Sequence, residues 1–354
     1  MTQPANQLLH RFIEPGDALS ILLNEKANEL HRKLSLLDVQ KTNIDEQGKL
    51  YFSAHHTGRR LFFSIESSVR IIYDSVKRIG REPSTITFTD YGAGLGTLFL
   101  LAGMIGFKSV YYNDLFPDWT ENARILCREL DISVTDFISG DVDAVIEYGK
   151  TKNIHFDIFA SRNVIEHIYS LPRFYSKLNA SGCTTLIYST TTANYHNPAM
   201  LLKHVLFHRK LERSHFPDQR KALIKELAPG IGKKELAQLV SITRGRAFDD
   251  FSNAVRNYLD KKPITPVRFL GSNTCDCRTG VWAENIITKS NYAAILKDAG
   301  FEMDYTPGFW DTHYRFALVN IFTKVFNGII RKLGKKGIAL APFVNVVATT
   351  CKHE

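Results

Sequence analysis

TFTDYGAGLGTLFLL, Thr87–Leu101, passes from a β-prone run through three alternating glycines into an apolar helical pattern. Glycine tolerates left-handed backbone and, lacking a Cβ, lets another group come close to the chain. Gly92, Gly94 and Gly96 therefore read as a strand-to-helix turn built for close approach. The triplet alone is a weak signal, and its surroundings give it meaning. From about residue 84 to 193 the segments TITFTDYG, LGTLFLLAGMIG, SVYYND, PDWTENARILCREL, SVTDFIS, HFDIFAS, VIEHIYSLPRFYSKLN and CTTLIYSTTT follow one another in a strand-and-helix rhythm. That rhythm predicts an α/β fold, a Rossmann-like doubly wound and mostly parallel sheet with ligands at the carboxyl ends of its strands.

The rest of the chain is arranged around this core. Residues 1–83 form an N-terminal helical region, in which Leu19, Leu22, Leu30 and Leu34 can share one face. Residues 84–195 form the ligand-binding core. Residues 196–286 form a basic helical insertion, expected as a lid over the acceptor side. Residues 287–354 complete the core with NYAAILKDAGF, a strand-like EMDYTPGFW, an amphipathic helix and APFVNVVATT.

The 354 residues, 44% of them hydrophobic, can bury a sizeable core. Cys127, Cys183, Cys275, Cys277 and Cys351 are too scattered for a disulfide framework and fit a reducing compartment. The opening MTQPANQLLHRFIEPGD lacks the basic-then-apolar order of a signal peptide, and the apolar stretches Leu95–Phe107 and Gly337–Cys351 fall short of a membrane span. A cytoplasmic protein is expected. The net charge of +9 is concentrated, with 14 Lys/Arg against 7 Asp/Glu between Lys203 and Lys262. A solvated helical face explains that surplus as well as an anionic partner does.

The glycine turn departs from the dinucleotide fingerprint, which needs glycine where Thr97 stands. Asp90, just ahead of the glycines, suits a ligand carrying positive charge rather than a pyrophosphate. S-adenosylmethionine, with an ammonium, a sulfonium and no phosphate, has that character. Asp114 ends the second predicted strand, where a carboxylate can accept both ribose hydroxyls; a strand-end turn or helix cap is the plainer role for it.

With these residues in view, the chain resembles the class I S-adenosylmethionine-dependent methyltransferases. TDYGAGLG matches their first motif, with Asp90, Gly92, Ala93, Gly94 and Gly96 in register. Asp114, followed by Leu115, matches the ribose-binding acid. SGDVDAV matches the adenine-edge motif, in which Asp141 would accept from the adenine amino group and Val142 would donate from its backbone. FDIFASRNVIEHI matches the fourth-strand motif, which places Ser161 and Asn163 toward the methionine end of the cofactor. The resemblance covers about 84–193 and the late strands. It implies S-adenosyl-L-methionine as cofactor and methyl transfer as the activity.

SRNV stands where amino-methylating relatives carry Asn/Asp-Pro-Pro-aromatic, the chain has no Pro-Cys pair for cytosine carbon, and Glu166 is without the second glutamate of the arginine enzymes. What remains is transfer to oxygen, on a glycan, a glycolipid or another small hydroxylated acceptor, where one general base beside the sulfonium suffices. His167 is the first candidate, with packing against the sheet as its plainer role. Glu166 can orient a histidine or bind a metal, as in the quinone O-methyltransferases whose Glu-His pair it resembles, or simply face solvent. His196, beyond the fifth strand, is a third catalytic candidate. No metal site is expected: His204 with His208, and Cys275 with Cys277, lack the further ligands of a zinc motif.

From the insertion, Arg244, Arg246, Arg278, Trp282 and Glu284 are expected near the acceptor, since guanidinium groups bind anionic oxygens and an aromatic ring stacks on a sugar. An RNA ribose methyltransferase, and a methyltransferase-like binding protein without chemistry, are the alternatives; the missing base-methylation motifs disfavour nucleic acid. In the tail, Leu318, Phe322, Val325, Ile329 and Leu333 share a helical face. That stripe suits docking on the sheet, a homodimer contact, or peripheral contact with a membrane.

Overall fold

The computed structural model describes residues 10–265 and 271–350; the opening residues 1–9 and Cys351 lie outside the described residues. Three helices come first, α1 (Ala18–Leu36), α2 (Glu46–His55) and α3 (Gly58–Ile79). Asp17 starts α1 by accepting the Ser20 N–H at 2.8 Å, satisfying one orphan donor of the first turn. The buried stripe of α1 runs through Leu23, Ala27, Leu30 and Leu34, with Leu19 and Leu22 only partly covered. On α3 the stripe is Leu61, Ile65, Val69, Ile72 and Val76, a helical spacing that packs against the core.

The alternating core follows as β1 (Thr87–Tyr91), α4 (Thr97–Ile105), β2 (Ser109–Asp114), α5 (Pro117–Leu130), β3 (Asp136–Ser139), α6 (Val142–Lys152), β4 (Phe156–Arg162), α7 (Leu171–Ser181) and β5 (Thr184–Thr191). The crossover helix α6 was hidden in the sequence by its short, charged pattern; Asp141 caps it, accepting the Asp143 N–H at 3.0 Å. The helix expected over VIEHIYSLPRFYSKLN is split. Ile165–His167 form a single 3₁₀ turn, and α7 begins only after Ser170 caps it, with Pro172 in its first turn. Proline has no N–H to give and disfavours helix in the residue before it, so the helix starts there.

The insertion holds α8 (Pro198–Ser214), α9 (Phe216–Leu227), α10 (Lys233–Ile242) and α11 (Phe248–Leu259). Ile224, Leu239, Phe251 and Val255 make its own small core. The chain then returns through α12 (Lys289–Asp298), β6 (Phe301–Pro307), α13 (Ala317–Leu333) and β7 (Val344–Thr350).

The seven strands lie in the order β3-β2-β1-β4-β5-β7-β6. β1 to β5 pair in parallel, and β7 runs antiparallel to both β5 and β6. Strand alternation sends Tyr112, Ile158, Leu186 and Val347 into the layer with α1, α3 and α4, and Tyr111, Phe159, Ile187 and Val346 into the layer with α6, α7 and α12. A sheet covered on both faces buries its strands completely, as β1 shows. The winding reverses between β1 and β4. The crevice at their carboxyl ends is where such sheets bind ligands.

Candidate active site

The glycine turn leaves β1 at Tyr91 and enters α4 at Thr97. Gly92 has φ +66°, and a Cβ there would come within 2.6 Å of the Val164 side chain, so both conformation and space exclude a larger residue. Gly94 has φ +50°, and its N–H donates to Asp114 Oδ2 at 2.9 Å. The other Asp114 oxygen takes the Phe116 N–H at 3.2 Å. One carboxylate therefore ties the ends of β1 and β2 into a single wall. Burial raises its pKa, and the backbone donors oppose that rise.

Asp90 lies beneath the glycines, 2% exposed, and accepts the Phe99 N–H at 2.9 Å. Burial pushes its pKa up to about 7, with Arg162 pulling the other way. The Arg162 charge nearby does not offset the burial. Arg162, ending β4, is held by Ser64, donating to its carbonyl and its hydroxyl at 2.7 Å each. The N-terminal helices grip the turn from the other side: His56 donates its Nε2–H to the Leu95 carbonyl, with its pKa lowered to about 4 by burial.

Two adjoining cavities open here. One, of about 380 Å³, is lined by Asp90, Ala93, Gly94, Gly96, Tyr51 and His55. The other, of about 450 Å³, is lined by Asp114, Leu115, Trp119, Asp141, Val142 and Phe116. Gly92, Trp119, Asn163 and His167 border both. Leu115 is 42% exposed and Val142 buried, an apolar pair at the mouth of the larger cavity. Asn163 has φ +57°, an uncommon conformation for a side-chain-bearing residue, and its N–H donates to the Thr190 carbonyl at 3.0 Å. A third cavity, of about 380 Å³, shares His55, Arg162 and Asn163 and adds Arg59, Arg60 and Thr192. Its outer wall comes from the segment after β6, including Trp310, Tyr314 and Phe343. Phe343 packs so close to Gly308 that a Cβ at 308 would overlap its ring.

His167 sits on the 3₁₀ turn after β4 rather than one turn into a helix. Its Nδ1 lies 2.8 Å from the Trp282 carbonyl. A carbonyl only accepts, so Nδ1 carries the proton and Nε2 keeps a lone pair. The backbone around it is fixed by the end of the insertion: Trp282 N–H donates to the His167 carbonyl at 3.2 Å and Asn285 N–H to the Glu166 carbonyl at 2.8 Å.

Glu166 is not on a solvated surface. It is fully buried; one oxygen takes the Thr192 N–H at 3.0 Å, and its Oε2 has no hydrogen-bond partner. Glu284 comes beside it, its pKa raised to about 7 by burial and then by the Glu166 charge. Burial raises Glu166 as well. Glu166, His167 and Glu284 each present one ligand atom within 4.8 Å of the others, so Glu284 joins the Glu-His pair read in the sequence as a metal binder and makes a candidate cation donor set where no metal site was expected.

Two candidates lie elsewhere. The Ser161 hydroxyl donates to Ser189 Oγ at 2.8 Å inside the sheet, because alternation along β4 turns Arg162, not Ser161, toward the cavities. His196 is exposed beside α12, its Nε2 accepting the Lys289 N–H at 3.2 Å; by that point the chain has turned away to begin α8. The insertion's arginines are also committed elsewhere. Arg244 donates to the Asn273 carbonyl at 3.2 Å, Arg246 to the Ile242 carbonyl at 3.3 Å, and Arg278 pairs with Glu226. Trp282 is buried, donating to the Tyr169 carbonyl at 3.1 Å. Tyr51, His55, Arg59, Trp119 and Arg162 line the cavities without having been singled out. Only the place of Arg162, closing the fourth strand, could have marked it in the sequence.

No protein-family profile matches the chain, and no curated protein matches it. Solved structures do. A methyltransferase dependent on S-adenosylmethionine from Mesorhizobium loti is 14% identical over 79% of this chain and 97% of its own, with a TM-score of 0.39. Magnesium protoporphyrin IX methyltransferase from Synechocystis, solved with S-adenosylhomocysteine, is 13% identical over 87% of this chain and 96% of its own, at 0.40. A further S-adenosylmethionine-dependent methyltransferase, from Clostridium acetobutylicum, is 9% identical over 79% and 89%, at 0.40. Likenesses this distant do not bear on this chain's chemistry. With five parallel strands wound outward from β1, β7 reversed between β5 and β6, a glycine turn after β1 and an acid ending β2, the chain has the Rossmann-like, mostly parallel doubly wound α/β fold that the sequence resemblance implied.

Proposed function

We propose that the chain binds S-adenosylmethionine across the two adjoining cavities and directs its methyl to an oxygen of a small hydroxylated acceptor, such as a glycan or glycolipid. The observation that carries this reading is the pairing of Asp90 and Asp114 on either side of the glycine turn, one buried with its pKa pushed up to about 7 despite the Arg162 charge and the other at the mouth of a roomy, partly apolar cavity. Asp90 and the turn would hold the amino-acid end, Asp114 the ribose, and Leu115 and Val142 the adenine faces. Asp141 has one oxygen engaged in capping α6, which leaves the other for the adenine edge. The cofactor, when bound, supplies an electrophilic methyl on a sulfonium. The chain's own part is to position the acceptor and remove its proton. His167 suits that step, with Nδ1–H fixed on the Trp282 carbonyl and Nε2 available at the junction of the cavities. The acceptor would occupy the third cavity, where Arg59, Arg60 and Arg162 favour a molecule carrying an anionic group.

Calorimetry with S-adenosylmethionine, S-adenosylhomocysteine and NAD tests the cofactor. The first two are expected to bind and NAD is not. Asp114→Ala is expected to weaken binding by about 1.5–3 kcal/mol, the range for hydrogen bonds to a charged group. Binding of NAD with none of S-adenosylmethionine would overturn the reading.

A further inference from the structure

Helix α13 is mounted with its polar side inward. The Asn327 amide accepts the Trp310 N–H at 2.7 Å and donates to the Trp310 carbonyl at 2.8 Å; Asn320 holds Tyr314 in the same way at 2.6 and 2.8 Å. Thr323 and Ile330 are the helix's buried residues. At about 100° per residue these four share one side. The opposite side carries Leu318, Ile321, Phe322, Val325 and Ile329, exposed by 81, 59, 68, 60 and 44%. The stripe expected to dock on the sheet therefore faces solvent.

An apolar strip of this size on a folded chain marks a contact surface, and the segment that carries it has one sign of charge. Residues 312–350 contain six Lys/Arg and no Asp/Glu. All six, among them Lys324, Arg331, Lys332 and Lys336, are exposed. Two copies meeting on this strip would bring those like charges together, which argues against a second subunit as the occupant. No helix among the described residues is long and apolar enough to cross a membrane. The strip can lie in a bilayer surface but not span it.

We propose that α13 seats the protein on an anionic lipid bilayer, its apolar side among the upper acyl chains and the exposed Lys/Arg side chains of its segment toward the headgroups. The segment leading into α13 also supplies Trp310, Asp311 and Tyr314 to the third cavity. If that cavity takes the acceptor, as the proposed function holds, an acceptor carried in the bilayer would meet it beside the seat. The docking itself is independent of that chemistry.

Cosedimentation of the full chain with vesicles of phosphatidylserine in phosphatidylcholine, and of phosphatidylcholine alone, tests the proposal. Wild type is expected to pellet with the anionic vesicles at low salt, to be released at high salt, and to stay in the supernatant with neutral ones. Neutralising Lys324, Arg331, Lys332 and Lys336 to Gln is expected to lower partitioning about fivefold per residue, the equivalent of about 1 kcal/mol each. Phe322→Ser with Val325→Ser is expected to lower it more than about tenfold. These side chains already meet solvent, so both variants should keep the wild-type melting temperature. Wild type remaining in the supernatant at low salt would overturn the proposal, as would variants that pellet like wild type. So would light scattering that shows a dimer which Phe322→Ser with Val325→Ser converts to monomer, since the strip would then belong to a second copy.

Discussion

At the scale of single residues, the site rests on a few groups whose ionisation is set by burial. If His167 takes the acceptor proton, His167→Ala should lower turnover by about 10²–10⁴-fold while cofactor affinity stays nearly unchanged. Turnover at the wild-type level in the variant would return His167 to a packing role. Asp90 gives a pH dependence. Its pKa is pushed up to about 7 by burial, so below that pH it is neutral and must lose a proton to receive a cationic ligand. S-adenosylmethionine affinity should therefore rise with pH and level off above about pH 7, with proton release on binding that fades at higher pH. Calorimetry in buffers of different ionisation enthalpy measures that release directly; uptake of protons would contradict it. Asp90, Asp114 and the glycines were legible because their chemistry is local to one turn. Tyr51, His55 and Arg59 were not, because they reach the site from residues far away in the chain and only the packed fold sets them there.

Among the elements, the strands and most crossover helices could be read from apolar periodicity, and SVYYND and PDWTENARILCREL coincide with β2 and α5. The split at Ser170 was missed because the apolar spacing continues across it, while the cap and Pro172 decide where the helix begins. The basic insertion misled in a different way. Its surplus charge suited a solvated face and an anionic partner alike, yet Arg220, 2% exposed, serves neither: it is paired with Glu212 at 2.6 Å and donates to the Val240 carbonyl at 3.0 Å. Breaking a buried pair on one side leaves the other charge stranded, at a cost of about 3–5 kcal/mol. Arg220→Ala should destabilise the insertion by that amount in chemical denaturation, and Arg220→Met combined with Glu212→Leu should recover most of the loss. An unchanged unfolding midpoint for Arg220→Ala would show that the pair does not hold α8 to α9.

Across the whole molecule, two sets of buried groups oppose each other. Asp90 and Glu284 sit near pKa 7, well above an unfolded carboxylate, so their contribution to stability is full at low pH and is lost as pH rises toward 7. His10, His56 and His208 are lowered to about 4 by burial. Their contribution is full above about pH 6.5 and is lost as pH falls toward 4. Between roughly pH 4.5 and 6.5 the unfolded chain holds the three histidine protons while the folded chain keeps two carboxyl protons, so the two sets offset each other only in part and the melting temperature should rise modestly with pH across that window. Scanning calorimetry across the window checks this, and a melting temperature that falls with pH would count against the burial of the histidines.

The glycine contacts carry an evolutionary consequence. At Gly92 the backbone is left-handed and Val164 fills the space, so a descendant could not admit a side chain there even after shrinking residue 164. Gly308 is different, since its backbone lies outside the left-handed region and only the Phe343 ring stands in the way. Homologous sequences should therefore keep glycine at 92 without exception. They should exchange glycine at 308 only alongside a smaller residue at 343, a paired drift that would reshape the third cavity and let acceptor preference diverge while the glycine turn stayed constant.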